Sequence, residues 1–121
     1  MKPIFSVSEA TQIIKNIIFS SDILQNIYIR GEISNFKHHP SGHMYFTLKD
    51  EKAQLRCVMF RQNNIMLPFK PENGMKVIAF GNIGVFEKNG EYQLYVNTLE
   101  PDGIGGLYVA FEKLKERLAQ E

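Results

Sequence analysis

The stretch that decides the fold is residues 31–61, which read GEISNFKHHPSGHMYFTLKDEKAQLRCVMFR. Apolar residues alternate here with polar, aromatic or basic ones in two segments, separated by a polar cluster at residues 50–52. Alternation with a period of two is typical of strands that bury one face. The loop entering the first segment holds all three histidines of the chain, His38, His39 and His43. The stretch therefore predicts a hairpin whose outer face carries rings and positive charge.

Outward from this hairpin, the same alternation predicts three further strands. The five predicted strands cover residues 27–34, 44–49, 55–60, 75–86 and 91–99. The fifth strand is expected to turn Tyr92 to the same side as Leu94 and Val96, and the third to turn Val58 outward. A three-strand meander, a crossing at residues 61–67 and a long hairpin are typical of a small barrel. An SH3-like barrel is the alternative, but the crossing and the long bent fourth strand favour a five-stranded OB-fold barrel in a mainly β protein.

Helical patterns flank the predicted barrel on both sides. Residues 1–26 contain a capping box at Ser6 and Glu9, followed by apolar residues at helical spacing to about Phe19. We expect this N-terminal segment to pack on the barrel at residues 27–100. Residues 101–121 read as a glycine-rich linker and the start of a C-terminal helix that lacks a C-cap, which predicts that the chain was cut from a longer protein.

Composition limits the class of protein. The chain has 121 residues, 44% of them hydrophobic and 22% charged, which is typical of one small soluble domain. The formal net charge is only +1, yet residues 27–61 hold six Lys and Arg against three Asp and Glu. A local basic patch of this kind attracts a phosphate backbone. A single cysteine, no signal peptide and no apolar run of about 18 residues predict a cytoplasmic protein with no membrane association.

The candidate binding residues combine rings that stack on bases with cations that contact phosphates. In an OB-fold these lie on strands 2 and 3 and on the loops joining strands 1 to 2 and 4 to 5. Phe36 and Phe60 have the alternative of packing under a loop or against the N-terminal helix. The predicted nucleic-acid-binding residues are Arg30, Phe36, Lys37, His38, His39, His43, Tyr45, Lys49, Arg56, Phe60, Arg61 and Lys88.

Metal binding and catalysis find little support in the sequence. A structural zinc site needs four ligands, but Cys57 falls on the inward phase of its strand and Glu32 is the sole nearby carboxylate. A histidine loop that binds a metal and hydrolyses phosphodiesters is the enzymatic alternative. No catalytic or phosphate-cradling motif occurs in the chain. We therefore predict no catalytic residues, no metal ligands and no cofactor.

Several segments in order resemble one protein family. SVSEATQIIKNII, GEISNF, SGHMYFTLKD, GEYQLYV and EPDGIGGLYVAFEKLKERL are together similar to the N-terminal domain of the large subunit of bacterial exodeoxyribonuclease VII. The resemblance implies an OB-type single-stranded-DNA-binding domain, followed in the family by a catalytic region and a helical region that binds several small subunits. It implies a parent enzyme that degrades single-stranded DNA from both ends to oligonucleotides, and an isolated fragment that cuts nothing. The alternatives are a protein-docking module and another single-strand binder, such as an anticodon-binding-type domain.

Overall fold

The computed structural model describes residues 1–103, in which five strands and three helices are formed. The predicted C-terminal helix lies outside the described residues. None of the helices within residues 1–103 is long and apolar enough to cross a membrane. The elements in chain order are α1 (Val7–Phe19), α2 (Asp22–Gln25), β1 (Ile27–His38), β2 (Met44–Lys49), β3 (Gln54–Met59), α3 (Arg61–Asn64), β4 (Lys76–Phe86) and β5 (Glu91–Pro101).

The five strands close into a barrel in the order β1-β2-β3-β5-β4, with β4 pairing back onto β1. Neighbouring strands are antiparallel except β3 and β5, which run parallel over a short stretch. The crossing between β3 and β4 carries α3, the short helix allowed for by the sequence pattern. The predicted five-stranded OB-fold barrel is confirmed.

The first strand is longer than predicted because a bulge carries it past Asn35. Residues 35 and 36 together face one residue of β2, and pairing resumes at Lys37 opposite Tyr45. Asn35 adopts a positive φ of 51°, a conformation that asparagine tolerates better than most residues. The Phe36 N–H finds a partner in the side-chain oxygen of Asn73, at 2.9 Å. The predicted end of the first strand at residue 34 was therefore wrong, because residues 35–38 also belong to β1.

Two side chains of the sheet do not follow the predicted alternation. Val58 is only 8% exposed although its phase points outward, because Tyr45 on β2 and Tyr95 on β5 flank it on the same face. Tyr92 is 62% exposed although it shares its phase with the buried Leu94, because it lies near the tip of the β4–β5 hairpin. Most of the core comes from inward positions of all five strands, among them Ile33, Phe46, Leu48, Cys57, Val77 and Val96, and Phe69 joins it from the segment between α3 and β4.

A close approach between β4 and β5 explains one glycine. A Cβ atom at Gly81 would lie 2.0 Å from the carbonyl oxygen of Tyr95, so no larger residue fits unless the backbone moves. The register of the two strands shifts between Phe80 and Gly81, which bends β4 where the barrel closes. This agrees with the expectation of a bend in the long fourth strand.

Helix α1 has the predicted bounds and the predicted capping box. The Ser6 hydroxyl accepts a hydrogen bond from the Glu9 N–H, and the Glu9 carboxylate accepts one from the Ser6 N–H, which lowers the pKa of Glu9. The helix meets the barrel through Ile18, which packs against the core, and through an ion pair of 2.6 Å between Lys15 and Glu87. No residue of α1 is fully buried. The contact of this segment with the barrel is thus one-sided.

Candidate nucleic-acid interface

An open groove runs over the outer face of β1, β2 and β3 and on to the start of β5. It consists of two adjoining cavities of ≈ 540 and ≈ 460 Å³, which share Asn35, Thr47 and Arg56 as lining residues. The side chains with rings or charges along it are Phe36, Lys37, His39, Tyr45, Phe46, Arg56, Glu91 and Tyr92. The structure therefore brings together five of the predicted binding residues, namely Phe36, Lys37, His39, Tyr45 and Arg56, and adds Phe46, Glu91 and Tyr92.

Tyr45 is the exposed ring at the centre of this arrangement. It is 40% exposed and pairs across the sheet with Lys37 on one side and Val58 on the other. The His39 ring meets it edge-on, with centroids 6.3 Å apart and planes at 87°. The His39 Nδ1 accepts a hydrogen bond from the Ser41 N–H at 3.0 Å, which leaves Nε2 as the ring nitrogen that can donate to a ligand.

Arg56 and Tyr92 form the hairpin side of the groove. The Arg56 side chain is 72% exposed, and its Nε lies 3.9 Å from a carboxylate oxygen of Glu91, at the outer limit of an ion pair. Tyr92 is the next residue of β5 after Glu91. Sequence reasoning missed it as a site residue because its phase matched that of the core. The sequence did contain a signal that Tyr92 is exposed. It lies three residues after Asn89 of the Asn-Gly turn, and side chains near the tip of a hairpin extend past the barrel.

Lys88 lies in the same exposed turn between β4 and β5. It does not line the groove itself but precedes Gly90, which does. The structure thus places it beside the hairpin end of the groove rather than within it.

Two of the predicted rings are used in packing. Phe36 is half-buried against the core, with its ring centroid 6.2 Å from that of Phe46. Phe60 lies beyond the end of β3, as the residue that precedes α3, and its half-buried ring stacks on Tyr95 at 6.0 Å with planes at 21°. Both rings therefore make packing contacts with other rings of the barrel, Phe36 with Phe46 and Phe60 with Tyr95.

His43 and Asn64 tie α3 to the loop between β1 and β2. The His43 Nδ1 accepts a hydrogen bond from the Arg61 N–H at 3.0 Å, and its ring contacts Phe60 edge-on at 5.2 Å. Asn64 is buried, and its Nδ2 donates to the carbonyl oxygens of Gly42 and Met59 at 2.9 and 3.1 Å. The structure therefore gives His43 a structural contact, and it keeps the loop in a fixed position beside the groove.

This groove geometry agrees with the family to which the sequence can be assigned. Residues 5–100 match the model of a family described as OB-fold nucleic acid binding domain. The chain belongs to this family. The match covers α1 and nearly the whole barrel, so the nucleic-acid-binding OB domain includes every element that lines the groove.

The relatives of this OB domain agree with the resemblance found in the sequence, which is confirmed. Exodeoxyribonuclease 7 large subunit of Halalkalibacterium halodurans is 59% identical over 99% of the chain, and that of Ruminiclostridium cellulolyticum is 54% identical over 100%. The chain spans only 26% and 30% of the length of these two relatives.

Solved structures with the same fold are far more distant in sequence. A replication protein A heterotrimer bound to ssDNA contains a chain with a TM-score of 0.54 at 12% identity, over 79% of the present chain and 74% of that chain. The S. pombe Stn1-ten1 complex contains one with a TM-score of 0.52 at 21% identity, over 79% of the present chain and 72% of that chain. These similarities support the barrel fold.

Arg30 and Lys49 lie at the opposite end of the OB domain's sheet, away from Tyr45. We call this the turn end: the turn between β2 and β3 (residues 49–53), together with Arg30 and Asp102. The Arg30 Nε lies 2.7 Å from a carboxylate oxygen of Asp102, and the Lys49 Nζ lies 3.5 Å from one of Glu32. Both cations line a separate cavity of ≈ 820 Å³. The structure therefore does not bring these two predicted residues to the groove.

His38 and Arg61 lie on the far side of the loop between β1 and β2. They line another cavity of the OB domain, of ≈ 470 Å³, between this loop and α3. We call it the loop-end cavity. His38 and His39 are consecutive but face different cavities, as expected for neighbours at the end of a strand.

Cys57 is buried under the groove of the OB domain, and the surrounding protein raises the pKa of its thiol from 9.0 to about 12, mainly by desolvation. A thiol in this state is neither a nucleophile nor a metal ligand at neutral pH. Within residues 1–103, no group of three or more His, Cys, Asp or Glu side chains is arranged to hold a metal ion.

Proposed function

We propose that this domain binds single-stranded DNA along the groove, and that in the full-length subunit it delivers the strand to a nuclease centre outside these 121 residues. The observation that carries the proposal is the exposed ring of Tyr45, which lines an open groove together with the cations Lys37 and Arg56. A ring offers its face to any base, while the cations contact only phosphates. The binding is therefore tolerant of sequence.

Stacking supplies the larger part of the affinity in this proposal. A base stacked on an aromatic side chain contributes about 1–3 kcal/mol. Tyr45 and Tyr92 lie in adjoining parts of the groove, so that at least two bases have a ring to contact. Lys37, His39 and Arg56 supply the phosphate contacts, with Lys88 next to the hairpin end. Neutralising three or four phosphates gives a slope of log affinity against log salt of about −2 to −3, since each contributes roughly −0.7.

The names of the relatives support a wider proposal about the parent protein. We infer that this protein acts as an exodeoxyribonuclease VII large subunit, which hydrolyses single-stranded DNA to oligonucleotides and joins a small subunit through the downstream region. The 121-residue domain supplies binding alone. An assay of the fragment on labelled single-stranded DNA, with and without chelator, should show no cleavage. Metal-dependent cleavage by the fragment would favour the enzymatic alternative.

A titration of fluorescein-labelled oligothymidylate tests the groove. The double variant Tyr45→Ala, Arg56→Ala removes one ring and one cation, so its affinity should fall about 10- to 100-fold. Tyr28→Ala is the matched control, because Tyr28 is an exposed tyrosine of β1, 69% exposed, that packs on Phe80 outside the groove. Circular dichroism verifies that all variants are folded. Unchanged binding by the double variant would refute the groove and favour a protein-docking role.

A further inference from the structure

The loop-end cavity has a one-sided charge distribution. His38, Arg61 and Lys70 line it, and no carboxylate within residues 1–103 does so. Arg61 and Lys70 also make no ion pair within the described part of the chain. By contrast, the cavity of ≈ 820 Å³ at the turn end combines Arg30, Lys49 and Lys76 with four carboxylates. Of these two cavities, only the loop-end cavity keeps a positive charge that an anion can neutralise.

The position of Arg61 in this cavity is fixed by its surroundings. Its aliphatic stem lies over Gly42, where a Cβ atom would come within 2.7 Å of the Arg61 Cδ. Gly42 also has a φ of +97°, which favours glycine on independent grounds. The Arg61 N–H is held by His43, and Asn64 ties the same helix to the loop. The guanidinium therefore projects from an anchored stem.

Apart from Asn64, the rest of the cavity is apolar. Met44 and Phe69 form a floor that is 6% and 4% exposed, and Ile65, 62% exposed, stands at its edge. Cations beside an exposed apolar side chain complement a nucleotide, which presents a charged phosphate and a base with an apolar face.

The cavity is close to the proposed path of the strand. Gly42 lines the cavity, and this residue belongs to the loop of residues 39–43, in which His39 lines the groove. A strand that leaves the groove past Lys37 and His39 therefore crosses the rim of the loop-end cavity.

We propose that the loop-end cavity is a second nucleotide subsite, which takes a nucleotide flanking those bound in the groove. Arg61 and Lys70 contact its phosphate, and Ile65 contacts its base. This proposal rests on the proposed binding of single-stranded DNA in the groove. It extends the binding track past the face of strands 2 and 3 and around the loop between β1 and β2.

The test uses oligothymidylates of increasing length, from about 4 to about 12 nucleotides, titrated at several salt concentrations. The variants are Arg61→Gln, Lys70→Gln and the two combined, with Lys52→Gln as the control cation in the turn between β2 and β3. For long oligonucleotides, the combined variant should bind more weakly, with a salt slope smaller in magnitude by about 1.4 than that of the wild type, about 0.7 for each lost contact. Short oligonucleotides that fill only the groove should bind it unchanged.

A combined variant with the salt slope and length dependence of the wild type would overturn the subsite. Lys70→Gln keeps the test valid if Arg61→Gln disturbs α3, because Lys70 lies outside that helix. The two proposals fail separately. Loss of binding in Tyr45→Ala, Arg56→Ala with no effect at Arg61 and Lys70 removes the subsite alone, whereas wild-type binding in the groove variant removes the groove.

Discussion

The two ends of the β1–β2–β3 face have similar numbers of cations but different partners for them. At the turn end, Arg30 and Lys49 pair with Asp102 and Glu32. At the loop end, which we define as residues 37–43 with α3, Lys37 and Arg61 have no carboxylate partner within residues 1–103. A count of Lys and Arg alone therefore overstates the surface that can bind phosphate. Attraction for phosphate depends on the positive charge that remains after the protein's own carboxylates are taken into account.

Both ends are ordered by hydrogen bonds, so order alone does not distinguish them. At the turn end, the Asp50 carboxylate accepts hydrogen bonds from the N–H groups of Lys52 and Ala53 at 2.8 and 2.9 Å, which lowers its pKa. At the loop end, the corresponding bonds come from Asn64 and end on backbone carbonyls. The side chain that makes these hydrogen bonds is thus a carboxylate at the turn end and a neutral amide at the loop end.

The largest expected effect is a loss of stability when the hydrogen bonds from Asn64 at the loop end are removed. Asn64→Ala leaves the carbonyl oxygens of Gly42 and Met59 without their donor in a buried site, so the free energy of unfolding should fall by about 2–3 kcal/mol. Urea denaturation measures it. Gln62→Ala, at an exposed position of the same helix, is the matched control and should stay within about 0.5 kcal/mol of the wild type. Equal stabilities for the two variants would mean that Asn64 does not hold the loop.

The barrel could be predicted from the sequence because its signals are local. Period-two alternation placed all five strands, and the Asn89-Gly90 turn and the Ser6 capping box gave correct boundaries. The bulge at Asn35 could not be predicted in the same way. It depends on a hydrogen bond between the Phe36 N–H and Asn73, which is 37 residues away in the chain.

The site was predicted in composition but not in arrangement. Alternation correctly places Tyr45 and Arg56 on the outer face, but Lys37 lies beside Tyr45 only because the bulge at Asn35 shifts the register of β1. Sequence reasoning did not separate His38 from His39. It also did not identify the carboxylate beside Arg30, since Asp102 is brought there by the end of β5. Such contacts depend on pairing between strands that are distant in the chain, and the local sequence pattern does not predict this pairing.

The next effect concerns Cys57, which is buried under the groove. Because burial holds the Cys57 pKa at about 12, above the ordinary 9.0, the folded protein keeps this proton while the unfolded chain releases it. The stabilisation is complete below pH 9 and is lost as the pH rises from about 9 toward 12, at about 1.4 kcal/mol per pH unit. Urea denaturation at pH 8 and pH 10 should therefore show a smaller decrease in Cys57→Ala than in the wild type. The same decrease in both proteins would contradict burial of the thiol.

The smallest effect tests the comparison of the two ends directly. Lys37→Gln removes an unpaired cation beside Tyr45, so its affinity for oligothymidylate should fall about 2- to 5-fold, with a salt slope smaller in magnitude by about 0.7. Lys49→Gln is the matched variant, on the same face and similarly exposed, but its cation is paired with Glu32 and lies outside the groove. Its affinity and slope should equal those of the wild type. If the two variants lose affinity equally, unpaired charge does not select the binding end, and the DNA path must extend to the turn end.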